Sequence, residues 1–117
     1  PLTWKIWDEE SFEWSSTLSY NSSIGFRAGT CYPFPVFDFI QSKKLNLIER
    51  PLLVMDGCMD VWNKIDESLS DFNSMVKEVK RHNGDFVFLW HNSFIDPAGK
   101  SSFLSVYKKF IDCFVVA

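Results

Sequence analysis

Between residues 65 and 82 the apolar positions form one helical stripe. Ile65, Leu69, Phe72, Val76 and Val79 stand at offsets of 4, 7, 11 and 14, the spacing of a helix that buries one face. Lys77, Lys80 and Arg81 load its last turns, where the helix dipole favours cations, and Gly84 predicts a left-handed C-cap. The period then changes. Phe86-Val87-Phe88-Leu89-Trp90 is continuously apolar and ends at His91, which predicts a strand over 86–91 buried on both faces. Leu52-Leu53-Val54-Met55 has the same form and ends at Asp56-Gly57, predicting a strand over 52–56. After Pro97, Leu104, Tyr107, Ile111 and Phe114 lie at offsets of 3, 7 and 10, predicting a helix over 101–114. Strand, helix, strand, helix is the order of an α/β protein, so the two strands should be parallel and joined by a right-handed crossover. Upstream, residues 4–11 predict a short helix, and 13–17 and 24–27 short strands. Residues 28–38, with Gly29, Pro33 and Pro35, predict a shaped loop. Asp96-Pro97 marks a turn.

At 117 residues the chain fits one domain, and 46% apolar residues are enough for a core. Twelve Phe, five Trp and three Tyr predict a large aromatic core, a stacking surface, or both. Twelve basic against fifteen acidic residues give a net charge of −3, without the basic excess of a general nucleic-acid binder. No apolar run reaches the length of a bilayer span. Cys31, Cys58 and Cys113 are odd in number and far apart, unlike a secreted disulfide framework. The chain begins Pro1-Leu2-Thr3 with no signal-peptide pattern. That leaves the compartment unknown, with a soluble, cytoplasmic location favoured.

Three apolar runs end in a residue with chemistry: Arg27 after Ile24-Gly25-Phe26, Asp56 after Met55, and His91 after Trp90. Functional groups in parallel α/β folds collect at the C-terminal ends of strands, so one sheet would bring the three to one rim. His91 is the candidate general acid or base, and Asp56 the group that orients it and stabilises its imidazolium. His82, in the last turn of a lysine-rich helix, reads as structural or solvated. Two His and no finger-like Cys pair make no zinc cluster. Cysteine nucleophile chemistry would need Cys31 or Cys58 beside His91, and no local sequence supports it. Gly99-Lys100-Ser101 lacks the glycine that a phosphate loop requires five residues earlier, where Phe94 stands. Asn21-Ser22-Ser23 matches the glycosylation sequon only formally.

Taken together, these stretches resemble a family. Gly25-Phe26-Arg27-Ala28-Gly29-Thr30-Cys31-Tyr32-Pro33-Phe34-Pro35-Val36-Phe37-Asp38 is similar to the arginine motif of polysaccharide deacetylases. The likeness is to a bacterial subgroup of the nodulation-factor deacetylase homology domain, carbohydrate esterase family 4. Trp14-Ser15-Ser16-Thr17-Leu18-Ser19-Tyr20 resembles the subgroup's tyrosine–aspartate–serine–threonine–leucine–glycine–tyrosine segment. Residues 48–57 and Phe88-Leu89-Trp90-His91-Asn92 resemble its last two motifs. The matches run in order over nearly the whole chain.

The resemblance implies a distorted (β/α) barrel and metal-dependent hydrolysis of N- or O-acetyl groups on sugars, with acetylated carbohydrate as partner. It makes Arg27 the residue that orients the catalytic base, His91 the general acid, and Asp56 the acid that tunes it. It makes a backbone N–H near Cys31 and Tyr32 the oxyanion donor. The family's Asp-Asp motif and helix-borne histidine pair, which hold the metal and supply the base, have no counterpart here: no Asp-Asp pair occurs and no His precedes His82. Residues 1–117 therefore read as a single partial domain, the C-terminal half of the barrel with parallel strands. The divalent, zinc-like metal is expected only in the intact family domain. Two functions stay open. One is part of a deacetylase, a fragment or half of a split enzyme, inactive alone. The other is a non-catalytic remnant or interaction module for carbohydrate or protein. A half-barrel edge further predicts self-association or pairing with the missing N-terminal half.

Overall fold

The computed structural model describes residues 2–92 and 101–116. The turn expected at Asp96-Pro97 lies outside them. The elements follow in the order α1 (Leu2–Glu9), β1 (Trp14–Ser15), β2 (Phe34–Asp38), β3 (Lys43–Glu49), β4 (Leu52–Met55), a 3₁₀ turn (Asp56–Cys58), α2 (Ile65–Arg81), β5 (Val87–Leu89) and α3 (Ser101–Val116). The class is mixed α/β, as expected, but the sheets are two and small. One is three-stranded in the order β1-β3-β2, the other pairs β4 with β5. Neither closes into a barrel. No helix of the described residues is long and apolar enough to cross a membrane.

The central strand–helix–strand unit follows the sequence pattern. β4 and β5 are parallel, with Leu52 opposite Val87 and Met55 opposite Leu89, and α2 connects them. All of Leu52, Leu53 and Val54 are buried, whereas Val87 and Phe88 are half-buried and Leu89 is exposed. The expectation of a strand buried on both faces thus holds for β4 and fails for β5, which among the described residues pairs with β4 alone. Phe72 of α2 is the hub of the larger core. Its ring lies 5.0–5.8 Å from those of Phe86, Phe88, Phe110 and Phe114, in the edge-to-face arrangements that aromatic quadrupoles favour. Of the five, Phe72 and Phe110 are buried, and Phe86, Phe88 and Phe114 pack half-buried against them. Among the described side chains of α3, Val106 and Phe110 are buried, while Leu104, on the predicted stripe, is exposed.

Three upstream expectations and one at the end of α2 need correction. Residues 24–27 form no strand: Gly25 sits at φ 151° and makes a single backbone bond to β4, its N–H donating to Leu53 O at 3.0 Å. The Phe26 carbonyl then accepts from Gly29 N at 2.8 Å, turning the chain. Residues 34–38 of the expected loop are strand β2, antiparallel to β3. Pro35 is tolerated there because β2 is an edge strand. Of residues 13–17 only Trp14–Ser15 pair, in parallel with Ile48 and Glu49. The left-handed residue after α2 is Asn83 (φ 51°), not Gly84. Gly84 N donates to Val79 O at 3.0 Å and Asn83 N to Lys80 O at 3.0 Å, the paired bonds of a Schellman cap.

A second, smaller core lies where α1 covers β2 and β3: Val36, Leu45 and Leu47 are buried beneath Trp4 and Trp7. The Asp8 carboxylate fixes α1 there, accepting from the N–H groups of Asn46 (2.7 Å) and Leu47 (2.9 Å).

Candidate functional site

Parallel pairing of β4 and β5 carries Asp56 and His91 out of the sheet at the same end. Met55 is in register with Leu89, so Asp56 leaves its strand almost beside His91. The Asp56 side chain is 2% exposed and that of His91 46%. One Asp56 oxygen accepts from His91 Nδ1 at 2.6 Å and from Gly57 N at 2.8 Å. The other accepts from the backbone N–H of His91 at 2.6 Å. An ionised carboxylate only accepts, so the bond assigns a ring proton to Nδ1. Backbone and ring are held by one carboxylate, which fixes the orientation of the imidazole about its own chain.

The other three expected site residues stand elsewhere. Arg27 is exposed on the turn after Gly25 and donates to the Ser19 carbonyl at 2.6 Å. Neither Asp56 nor His91 is its partner, because the strand that would have brought it to the rim does not form. Cys31 and Tyr32 belong to the other end of the sheet. The Cys31 carbonyl accepts from Asp85 N at 3.1 Å, and the Tyr32 hydroxyl donates to the carbonyl of His82 at the end of α2. Asp85 precedes β5 and His91 follows it, so about 20 Å of extended chain separates that loop from the imidazole. The loop does not deliver an N–H to a reaction at His91. His82 is at the exposed end of α2 with Glu78, 3.1 Å away, as its position suggested.

Beside the Asp56 turn, Cys58 donates to the Tyr20 carbonyl at 3.4 Å. Burial, with the Asp56 charge adding to it, holds the Cys58 thiol above its ordinary value. That opposes thiolate formation and nucleophilic use. An open cavity of about 430 Å³ adjoins this turn, walled by residues that include Ser23, Cys58, Asp60, Lys64, Glu67 and Asp71. Neither Asp56 nor His91 lines it. Among the described residues no three His, Cys, Asp or Glu side chains come together as a set able to hold a metal ion. The described residues therefore do not form a site for the divalent ion that the resemblance implies for the intact domain.

One carboxylate escaped the sequence reading. Glu49 is fully buried. It accepts from Thr17 N (2.9 Å), Leu18 N (2.8 Å) and the Ser15 hydroxyl, tying the segment after β1 to β3. Leu45, Leu47 and Glu49 alternate on the buried face of β3. A glutamate at the inward parity of an alternating strand was the available signal. All its contacts are internal, which makes it a structural clamp.

No protein-family model, curated protein or solved structure matches this chain.

Proposed function

We propose that Asp56 and His91 form the proton-delivering dyad of a site that hydrolyses acetyl groups on sugars, the activity implied by the sequence resemblance to polysaccharide deacetylases. The observation that carries the reading is the double grip of Asp56 on His91, through the backbone N–H and through Nδ1. A histidine held in that way has one tautomer, one orientation and a counter-charge for its cationic form. As the tetrahedral adduct collapses, the C–N bond of the acetamide breaks. The Nε2 proton of cationic His91 passes to the departing amine, leaving a neutral imidazole whose Nδ1–H is still donated to Asp56. Activation of the attacking water is no part of what these residues supply, so the chain alone delivers a proton and nothing more.

The test is acetate release from an N-acetylglucosamine oligomer. The 117-residue chain alone should give none above buffer, with or without zinc or cobalt. Joined to a segment bearing the family's Asp-Asp motif and histidine pair, it should turn over. His91→Ala should then lower kcat by about a hundred- to ten-thousandfold. Metal-dependent release by the chain alone, or a joined enzyme indifferent to His91→Ala, would overturn the proposal.

A further inference from the structure

The Arg27 guanidinium is in no ion pair among the described residues. Its hydrogen bond to the Ser19 carbonyl uses Nη1, so the Nε–Nη2 edge keeps its N–H groups for another acceptor. Arg27 shares the wall of an open cavity of about 310 Å³ with Trp4 and Trp7 of α1 and with Thr3, Thr17 and Leu18. No carboxylate is on that wall among the described residues. Glu49, bonded to the backbone of Thr17 and Leu18, is buried with both oxygens engaged. Asp8 is committed to the N–H groups of Asn46 and Leu47. The wall is fixed on each side. Both indoles are half-buried and pack on Val36, Leu45 and Leu47. Trp4 Nε1 donates to the Thr17 hydroxyl oxygen at 3.3 Å, which orients the indole and leaves the Thr17 O–H to donate elsewhere. The turn that carries Arg27 is pinned to β4 through Gly25 N.

We infer that this cavity binds a sugar unit bearing a carboxylate, a uronic acid residue of a short oligosaccharide. Three kinds of group converge there, and such a ligand uses all of them. Indole surface takes the C–H face of a pyranose ring. The hydroxyls of Thr3 and Thr17 exchange hydrogen bonds with sugar hydroxyls. The open guanidinium edge takes the carboxylate through two parallel N–H···O bonds, the geometry in which arginine surpasses lysine. A neutral sugar would leave the guanidinium without a counter-charge, and an aromatic acid would leave the threonine hydroxyls unused. The volume lies at the lower end of the range for small-ligand sites, about 300–1,000 Å³. Neither Asp56 nor His91 lines the cavity, so the site stands independently of the proposed acetyl hydrolysis. Because its walls are already held, little ordering cost falls on binding.

Titration of the 117-residue chain with trigalacturonate, followed by the indole N–H signals in nuclear magnetic resonance, tests this at about 0.1 M salt. The Trp4 and Trp7 signals should shift saturably and those of Trp62 and Trp90 should stay. The methyl-esterified trimer keeps the rings and loses the charge, and should bind about tenfold more weakly or worse. Arg27→Gln should weaken binding of the acid by a similar factor and leave binding of the ester unchanged. Arg27 is exposed, so the fold should survive, and an unchanged ester affinity shows that the cavity wall did. Four results would overturn the inference. They are no saturable shift with the acid, equal binding of acid and ester, an Arg27→Gln variant that binds the acid as the parent does, and one that loses acid and ester alike. If indole-3-acetate shifts the Trp4 and Trp7 signals while the trimer does not, the cavity takes an aromatic acid and the sugar assignment falls.

Discussion

Replacing Gly84 by alanine tests how the end of α2 meets the core. Gly84 lies outside the left-handed region, which Asn83 occupies instead, so alanine incurs no backbone strain there. A residue added at such a site ordinarily stabilises by about 0.4–1 kcal/mol, by restricting the unfolded chain. The obstacle is a neighbour. A Cβ on Gly84 would overlap Cys31 Sγ and stand 3.1 Å from Cys31 Cβ and 3.5 Å from its carbonyl oxygen. Cys31 is buried in the cluster that holds Leu53, Val54 and Val79, so its thiol has little room to swing aside. Overpacking of this kind costs about 1–3 kcal/mol, which outweighs the unfolded-state gain. Gly84→Ala should therefore lower the urea midpoint, read by tryptophan fluorescence, with an unchanged m value. Cys31→Ala alone removes one buried heavy atom and should cost about 1 kcal/mol. In that background the deepest overlap is gone, and Gly84→Ala should be nearly neutral, a coupling of about 1–3 kcal/mol in a double-mutant cycle. Had Gly84 been the left-handed cap that the sequence predicts, alanine would be strained in both backgrounds and the cycle would be additive. An additive cycle, or a single variant as stable as the parent, would refute the packing argument.

Phe72→Ala should cost about 3–5 kcal/mol in the same urea assay, because it empties the position that four other phenylalanines surround; a loss under 1 kcal/mol would mean that the aromatic hub is not formed. Glu49→Ala strands the buried Ser15 hydroxyl, at about 1–3 kcal/mol, and frees the less buried N–H groups of Thr17 and Leu18, whereas Glu49→Gln keeps an oxygen for the two N–H groups and should cost markedly less. Equal losses in the two Glu49 variants would remove the clamp. Cys58 should be alkylated with a pH profile centred above the ordinary thiol value of 9.0, read by peptide mapping. Its folded pKa is the higher one, so the associated stability is complete below the unfolded value and is lost as pH rises through the folded value. A profile centred below 9.0 would contradict the burial assigned to Cys58.

The parts of the fold that local pattern dictates were legible. The α2 stripe, the run 52–55 and the strand–helix–strand order each follow from spacing alone, and the parallel pairing of β4 with β5 follows from the helix between them. The hairpin of β2 and β3 was legible in part and misread. Pro33 and Pro35 punctuate residues 28–38 as a loop should, but proline also suits an edge strand. Lys43-Lys44-Leu45-Asn46-Leu47-Ile48-Glu49 carries a period of two that the neighbouring motif overshadowed. Residues 24–27 erred the other way: two apolar side chains around Gly25 were too short a run to distinguish a strand from a turn, and Arg27 went with them.

That contrast explains which half of the site could be read. Asp56 and His91 lie 35 positions apart, and no local feature of either one names the other. What joins them is the direction of two strands. Parallel strands start at one edge and finish at the other, so residues that follow their ends must share an edge, and register alone decides whether they touch. Arg27 depended on a strand that does not form. Cys31 and Tyr32 depended on a loop whose partner, the end of α2, lies at the starting edge of β5. The directional rule that brings Asp56 to His91 thus also separates both from that loop.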